Sequence, residues 1–350
     1  MTGKPIVVLT SRTFPETRAI LEGRVKLVAN DALEPWSHEQ VAERCQNAAG
    51  LMAFMTDKID ASFLAACPDL RVIGAALKGH DNIDIEAATG AGVWVTIVPD
   101  LLTVPTAELA IGLILGLGRH IVAGDRKIRE HGFAGWRPCL YGAGLSEASA
   151  GLVGFGRVGQ AIARRLVGFD CRIMAFDEGV LQPPSDLDGH VEMVSLDTIL
   201  VEADYVVLAL PLTPRTQHLM NTKTIGRMKP GAMLINPARG SLVDERAVAE
   251  AIASGHLAGY AADVFECEDW ARSDRPGGID ARLTSPRAPT VLTPHIGSAV
   301  TRVRREIELS AAHSILDALN GRVPPYAIND PRKRSADAQP GAYQDVPSSP

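Results

Sequence analysis

Short, continuous apolar runs alternate with segments of helical periodicity along most of this chain, and this alternation restricts the possible folds more than any other feature. The first half contains four such runs, at Ile6–Leu9, Leu51–Phe54, Val72–Ala76 and Val93–Thr96. Residues 38–48 and 60–66 carry helical patterns between them, with Asp60 placed to cap the second. Because runs that are apolar at every position suit strands covered on both faces, the pattern predicts βαβ units around a parallel sheet.

The alternation starts again at Ala150 and continues as far as the segment TPHIGS, residues 293–298. A long helical pattern from about Thr106 to Arg129 separates the two series. Its apolar residues cover more than one face, which is typical of a helix buried between domains or subunits. A last helix is expected from about Ala299 to Leu319. We therefore predict an α/β fold with two doubly wound parallel-sheet domains.

Composition excludes several classes of protein. Lys plus Arg number 35 and Asp plus Glu 41, so the net charge of −6 speaks against a nucleic-acid partner and a polybasic membrane anchor. The 5 cysteines form no CxxC pair, so neither a disulfide framework nor a zinc site is expected, and no metal is predicted. The N-terminus lacks the apolar stretch of a signal peptide, and Leu109–Leu117 is shorter than the ~20 residues that span a bilayer. The expectation is a cytoplasmic protein without membrane contact.

Three glycines mark the turn after the first strand of the second series. Gly154, Gly156 and Gly159 form the pattern G-x-G-x-x-G between the apolar run 151–153 and a helical segment 158–166. The first glycine permits a tight turn, the second lets the backbone approach a pyrophosphate, and the third lets helix and strand pack closely. The segment therefore predicts a dinucleotide site at the N-terminus of a helix.

A carboxylate at the end of the next strand selects the dinucleotide. Asp177 lies 18 residues after the last glycine, where a carboxylate accepts a hydrogen bond from the ribose 2′-OH and repels a 2′-phosphate. Glu178 adds a second negative charge beside it. The pair predicts NAD as the cofactor rather than NADP.

Three residues that suit hydride-transfer chemistry follow successive predicted strands. His295, in TPHIGS, can exchange a proton near neutral pH. Arg239, in NPARGSLVDE, offers a planar fork to an oxyanion. Glu268, in DVFECED, can fix the tautomer of an imidazole. Because the carboxyl ends of parallel strands share one edge of a sheet, the three are expected to converge there.

With these residues behind GFGRVG, the chain resembles the D-isomer-specific 2-hydroxyacid dehydrogenases over about residues 5–328. The resemblance implies that Arg239, Glu268 and His295 are catalytic. It also implies a Rossmann NAD domain, residues 103–299, inserted in a flavodoxin-like substrate domain, residues 1–102 and 300–330. A homodimer formed through the long helical segment is expected from the same resemblance. Residues 331–350 are polar and without periodicity, which predicts a disordered tail.

Within the family, LRVIGAALKGHDNIDIEA and GYAADVFECEDWARSDRP look most like its phosphite-oxidising members. Lys78 is the distinguishing residue, because a phosphite dianion gains from more positive partners than a monocarboxylate does. The resemblance implies substrate contacts from Met55, Lys78, Gly79, Trp136, Tyr141, Arg239 and Arg304. It implies cofactor contacts from Thr106, Gly154, Phe155, Gly156, Arg157, Val158, Gly159, Asp177, Pro211, Ala238, Asp263 and His295. One departure is His80, where the phosphite-oxidising members are expected to carry an aromatic residue.

The expected reaction is the NAD-dependent oxidation of phosphite to phosphate, with water as nucleophile and His295, oriented by Glu268, as its base. The identity of the base is left open, because a cation-rich pocket also lowers the pKa of water. One alternative is a D-2-hydroxyacid dehydrogenase or glyoxylate/hydroxypyruvate reductase, which would share the fold, the cofactor and the three catalytic residues. Another is an NAD-sensing corepressor-like protein that binds partner peptides without turning over a substrate.

Overall fold

The computed structural model describes residues 3–270 and 272–332 and divides them into two compact units. Unit 1 consists of the chain up to Pro99 together with the residues from Arg305 onward, and unit 2 is Asp100–Arg304. The domain boundaries expected from the sequence, after residues 102 and 299, fall close to this division and stay a prediction. Of the tail predicted to be disordered, residues 333–350 lie outside the described residues.

Unit 1 is built on a five-stranded parallel sheet with the order β2-β1-β3-β4-β5. Its strands are β1 Ile6–Leu9, β2 Lys26–Ala29, β3 Gly50–Ala53, β4 Val72–Ala75 and β5 Trp94–Thr96. Its first four helices are α1 Pro15–Leu21, α2 His38–Cys45, α3 Ala61–Ala66 and α4 Ile85–Gly90. Asp60 caps α3 as predicted, accepting from the backbone N–H groups of Ser62 and Phe63. The strand order is that of the flavodoxin-like doubly wound fold.

Unit 2 is built on a seven-stranded parallel sheet with the order β12-β11-β10-β9-β6-β7-β8. Its strands are β6 Ser149–Val153, β7 Arg172–Phe176, β8 Val191–Met193, β9 Tyr205–Leu208, β10 Ala232–Asn236, β11 Leu257–Ala262 and β12 Thr290–Leu292. Its helices are α5 Thr103–Gly118, α6 Ile121–His131, α7 Arg157–Leu166, α8 Leu196–Glu202, α9 Thr222–Ile225 and α10 Glu245–Ala253. The order reverses beside β6, as in the Rossmann fold, so the crevice for a dinucleotide lies at the carboxyl end of this strand.

The prediction of one helix from Thr106 to Arg129 was wrong. The structure has two helices there, α5 and α6, bent by 60°. His120 between them has a φ of +52°, and the Gly118 carbonyl accepts a hydrogen bond from Ala143 N at 2.8 Å instead of continuing the helix. Within the described residues no single helix is long and apolar enough to cross a bilayer; only α5 and α6 together, as a bent pair, satisfy that test.

The last helix, α11 Thr301–Leu319, completes the core of unit 1. Gly50 and Gly74 leave space for Ile315, since an added Cβ would lie 3.1 and 2.6 Å from its side chain. Glu308 is buried and accepts from Phe14 N at 2.8 Å and from the Thr17 hydroxyl at 3.1 Å, which joins α11 to α1. Residues from the end of the chain are therefore required for the fold of the N-terminal unit.

Candidate active site

The glycine turn after β6 has the geometry that the sequence predicts. Gly154 has a φ of +97°, and a Cβ there would lie 2.4 Å from the Ala209 carbonyl oxygen. A Cβ on Gly159 would lie 2.3 Å from the Gly154 carbonyl oxygen, so only glycine lets α7 pack this closely on the turn. Gly156, in contrast, has open space around the position of a Cβ, and it caps α7 without a side-chain hydrogen bond. The N-terminus of α7 is therefore open to a phosphate group.

Asp177 holds the end of β7 against this turn. Its Oδ2 accepts from Phe155 N at 2.7 Å, and its Oδ1 accepts from Gly179 N at 2.8 Å and Val180 N at 3.1 Å. Glu178 beside it is exposed and pairs with Arg215 at 2.9 Å. The hydrogen bond to Phe155, which lies between the first two glycines, thus fixes the Asp177 carboxylate beside the glycine turn. A carboxylate at this position of the fold binds a ribose hydroxyl of the dinucleotide.

The residues of this turn fit NAD. The open cradle at Gly156 and the uncapped α7 would hold the pyrophosphate, with Arg157 and Val158 in the first turn of the helix. Asp177 would accept from the ribose, and its negative charge disfavours the extra phosphate of NADP. When NAD is bound, it supplies a hydride acceptor.

His295 and Glu268 form a hydrogen-bonded pair. His295 Nδ1 lies 2.8 Å from Glu268 Oε2, and each side chain is 28% exposed. Glu268 Oε1 accepts from Phe265 N at 2.9 Å, so the carboxylate is fixed at both oxygens. Because an ionised carboxylate is an acceptor only, His295 carries a proton on Nδ1, and its Nε2 is the nitrogen that can take a further proton.

Asp263 shapes the loop that carries His295. Its carboxylate accepts from Ile296 N at 2.8 Å, Gly297 N at 2.7 Å and the Thr293 hydroxyl at 2.6 Å, and burial raises its pKa. His295 itself has a φ of +52°, an uncommon conformation for a residue other than glycine. These three hydrogen bonds therefore hold a strained backbone in the conformation in which His295 contacts Glu268.

Arg239 follows β10 in a turn that buried Asn236 shapes. Asn236 Nδ2 donates to the Arg239 carbonyl at 2.8 Å, and its Oδ1 accepts from Ala238 N at 3.1 Å. The guanidinium of Arg239 is half-buried and donates to the Ala238 carbonyl at 2.9 Å. The next residue, Gly240, packs on the backbone of Phe265, since a Cβ would lie only 1.9 Å from the Phe265 carbonyl carbon.

The order of the strands brings Arg239, Glu268 and His295 to one edge of the unit 2 sheet. They follow β10, β11 and β12, which are neighbouring parallel strands. The backbone contact at Gly240 joins the Arg239 turn to the Glu268 turn, and the hydrogen bond from Glu268 continues to His295. The structure thus joins the turn of Arg239 to the histidine–carboxylate pair, and the catalytic roles of the three residues stay a prediction.

Other residues predicted to contact the cofactor lie on the same unit. Thr106, in α5, is close to Gly297, where a Cβ would lie 3.4 Å from the threonine hydroxyl and 3.2 Å from Asp263 Oδ2. Pro211 is exposed after β9, and its carbonyl accepts from Thr216 at 2.8 Å. Thr106, Asp263 and the His295 loop are therefore brought together, while the cofactor contacts of Pro211 stay a prediction.

Met55 and Lys78 lie on unit 1, in the loops after its neighbouring strands β3 and β4. Both side chains are half-buried, as is Gly79. Buried Asn82 joins the two loops, donating to the Asp57 carbonyl at 2.6 Å and the Phe54 carbonyl at 3.2 Å. The structure therefore places these predicted substrate residues at one edge of the unit 1 sheet.

The remaining predicted substrate residues have varied surroundings. Trp136 and Tyr141 lie in the stretch after α6 and are 77% and 78% exposed in the single chain. Arg304 is half-buried in the first turn of α11. His80, the residue that departs from the expected aromatic, places Nδ1 3.4 Å from the Lys78 carbonyl oxygen. Their contacts with a substrate stay a prediction.

Sequence reasoning missed two residues that shape the site, Asn236 and Thr293. Asn236, in INPARG, ends the buried strand β10, and Thr293, in LTPHIG, follows the half-buried strand β12, each directly before proline. A polar side chain at this position often forms hydrogen bonds to the following turn. That signal was available in the sequence, but the partner of each side chain depends on the turn geometry.

Known proteins are similar to this chain over most of its length. Residues 111–297 match the family described as "D-isomer specific 2-hydroxyacid dehydrogenase, NAD binding domain". A glyoxylate reductase from Thermococcus onnurineus is 36% identical over 326 residues, covering 89% of this chain and 94% of the relative. One from Pyrococcus furiosus is 35% identical, with the same coverage of both chains. The crystal structure of the TT0316 protein from Thermus thermophilus is 34% identical, with a TM-score of 0.82, and the match covers 93% of this chain and 100% of that one.

Proposed function

The chain belongs to the D-isomer-specific 2-hydroxyacid dehydrogenase family, and from that premise we propose that it oxidises phosphite to phosphate with NAD. The observation that carries the proposal is Lys78, a half-buried cation in the loop after β4. A 2-hydroxyacid presents one carboxylate, for which Arg239 is a sufficient partner, whereas a phosphite dianion gains from additional positive charge. That Lys78 reaches the substrate is inferred from the sequence, and it stays a prediction.

In the proposed reaction each residue of the site has a separate role. Arg239 holds two oxygens of phosphite through its planar fork. His295, oriented by Glu268, removes a proton from the attacking water through Nε2. A P–O bond to the water oxygen forms as the P–H bond breaks, and the hydride with its electron pair goes to the nicotinamide. Phosphite, water and NAD thereby give phosphate, NADH and one proton, so atoms and charge balance.

Glyoxylate reduction is the second candidate, and the names of the similar proteins favour it over phosphite oxidation. The same three residues support it: Arg239 would hold the carboxylate, and protonated His295 would donate a proton to the oxygen of the carbonyl group. Substrate choice depends on a few side chains around the reacting atoms, whereas an overall identity of 36% reports the shared fold. The two candidates therefore need a direct comparison.

Absorbance at 340 nm distinguishes the candidates. We expect NADH to form when the protein is mixed with NAD and phosphite, and expect that oxidation of NADH with glyoxylate or hydroxypyruvate is slower. Rapid turnover of the two oxoacids without phosphite oxidation would establish the second candidate instead. Binding of NADH without turnover of any of the three compounds would favour the corepressor-like alternative.

Lys78→Ala tests the residue that carries the proposal. We expect its KM for phosphite to rise about tenfold or more, since a charge-assisted contact contributes roughly 1.5–3 kcal/mol. Lys26→Ala, which removes an exposed lysine from the same unit, is the matched control and should leave the KM unchanged. An unchanged KM for phosphite in Lys78→Ala would remove this residue from the substrate site.

A further inference from the structure

A second group of polar and charged residues lies in and next to the turns that carry Arg239 and Glu268. We call it the polar cluster, and it consists of His218, Ser241, Glu266, Asp269 and Arg272. All five lie in unit 2, and the proposed reaction assigns none of them a role. Because the turns on which they act carry the proposed catalytic groups, the cluster is placed to affect the geometry of the site.

Buried charges make the cluster rigid. The Glu266 side chain is 8% exposed and that of Arg272 is 12% exposed. Arg272 Nη1 donates to the Ser241 hydroxyl at 2.6 Å and to Glu266 Oε1 at 3.0 Å, and buried Asp269 accepts from Ser241 N at 2.6 Å. Because an unpaired buried charge is costly, the groups hold each other in one arrangement.

His218, like Arg272, contacts both catalytic turns. Its backbone N–H donates to the Ser241 carbonyl at 2.7 Å, two residues after Arg239. Its imidazole Nε2 lies 2.6 Å from Glu266 Oε1, two residues before Glu268. His218 has a φ of +48°, so the surrounding contacts maintain a backbone conformation that is unfavourable for histidine.

We propose that His218 is a positioning residue, which fixes the Arg239 turn relative to the Glu268 turn through its contacts with Ser241 and Glu266. The inference rests on the roles proposed above for Arg239 and Glu268. His218 itself touches neither of these side chains through a hydrogen bond that the structure describes, so it acts through the two turns. Loss of the imidazole contact removes one of the two side chains that donate to Glu266 Oε1, and Arg272 at 3.0 Å and Glu245 N, at 3.2 Å from Oε2, then hold the carboxylate without the link to residue 218.

Two amide variants test the proposal as a matched pair. His218→Gln places an amide N–H near the position of Nε2 and can still donate to Glu266, whereas the shorter His218→Asn cannot reach it. Asparagine also tolerates the left-handed conformation better than glutamine, so backbone strain would favour the asparagine variant. We expect kcat/KM for the substrate that the wild type turns over to fall at least tenfold in His218→Asn and to stay within about threefold in His218→Gln.

Two further measurements separate positioning from a general loss of structure. The dissociation constant of NADH, whose site is the glycine turn, should stay within about twofold of the wild-type value in both variants. The second measurement uses protein labelled with ¹⁵N-histidine and follows the NMR resonance of the proton between His295 and Glu268, which is assigned by its absence in His295→Asn. This resonance should shift in His218→Asn and keep its wild-type position in His218→Gln. Exchange of the exposed His190 for asparagine is the control and should change neither quantity.

Wild-type kinetics and an unmoved resonance in His218→Asn would overturn the proposal. Equal losses of kcat/KM in the asparagine and glutamine variants would also overturn it, because a donor to Glu266 at position 218 would then be irrelevant. If the wild-type protein turned over neither phosphite nor glyoxylate, the proposed function would fail, but the His295 resonance would still report whether His218 positions Glu268. The two failures are therefore distinguishable.

Discussion

His295 combines three constraints at a single residue: a hydrogen bond to Glu268, a left-handed backbone, and a loop held by Asp263. The carboxylate fixes the tautomer, and the loop fixes the direction of the ring. A histidine with only a packing role would not need a buried carboxylate to maintain a strained backbone. The arrangement therefore favours proton transfer at Nε2.

Replacement of His295 by asparagine should remove this proton transfer. Asparagine keeps a polar side chain that tolerates a positive φ but cannot exchange a proton, so we expect kcat to fall about 10²–10⁴-fold. Steady-state kinetics at 340 nm measures the loss, with the exposed His313→Asn as control. A kcat within threefold of the wild type would exclude histidine as the base and leave the cation-lowered pKa of water as the explanation.

Asp177→Asn should widen cofactor use. The amide oxygen can accept from Phe155 N or from Gly179 N and Val180 N but not from both sides, so cofactor affinity in general should fall, while the charge that repels a 2′-phosphate is lost. The ratio of the two cofactors removes the general effect. We expect the ratio of kcat/KM for NADP to that for NAD to rise about tenfold or more, since such a charge contributes roughly 1–4 kcal/mol near a protein surface. Asp186→Asn, which breaks an exposed pair with Arg164, should leave the ratio unchanged. An unchanged ratio in Asp177→Asn would assign the NAD preference to Glu178 or to packing.

At the scale of the elements, the loops after β3 and β4 depend on a buried carboxylate. Asp57 lies in the same loop as Met55, after β3. Its side chain is buried and accepts from Phe54 N at 2.7 Å and from the Thr10 hydroxyl at 2.5 Å. Burial raises its pKa to about 6. The folded state therefore binds this proton more tightly than the unfolded chain, in which an aspartate titrates near 3.9.

This raised pKa predicts how the stability of unit 1 changes with pH. The stabilising contribution of protonated Asp57 is complete below about pH 4 and is lost as the pH rises through about 6, with a total of about 2–3 kcal/mol. Asp57→Asn lacks this loss. Its free energy of unfolding minus that of the wild type should therefore increase between pH 4 and pH 7, which means that the variant gains stability relative to the wild type. Amide exchange of β3 and β4 measures it, with the exposed Asp69→Asn as control. A constant difference between variant and wild type across this range would contradict the prediction.

At the scale of the whole molecule, α6 and the segment after it expose an unusual amount of apolar surface. None of the α6 residues is buried, and Ile121 and Ile128 are 55% and 47% exposed. Phe133 and Trp136 in the following segment are 76% and 77% exposed. Exposed apolar surface is typical of interaction sites, and the homodimer expected from the sequence stays a prediction.

Charged residues on this surface should separate the expected dimer. The single chain has a mass of 37.3 kDa, so sedimentation analysis should give twice this value for the wild type at micromolar concentration. We expect a monomer for the double variant Ile121→Glu and Ile128→Glu, because a buried unpaired carboxylate is costly at an interface. Val201→Glu, at a valine of α8 that is 56% exposed, is the control and should remain dimeric. A wild-type protein of monomer mass would contradict the prediction.

The sequence by itself determined the two parallel-sheet folds, the glycine turn and the order of Arg239, Glu268 and His295, because these depend on local patterns. Continuous apolar runs specify covered strands, G-x-G-x-x-G specifies a turn that excludes larger residues at Gly154 and Gly159, and polar residues after successive strands meet at one sheet edge. Each strand and the glycine turn is encoded by neighbouring residues.

Only the tertiary structure decided where α5 ends, how α11 completes the first unit and what supports the catalytic turns. The break at Gly118 depends on Tyr205 and Ala143, and the polar cluster joins His218 to residues up to 54 positions later in the chain, at Arg272. Contacts between distant segments form only when the chain has packed, since hydrogen bonds and close backbone approaches require three-dimensional proximity. Local sequence patterns carry no information about these distances.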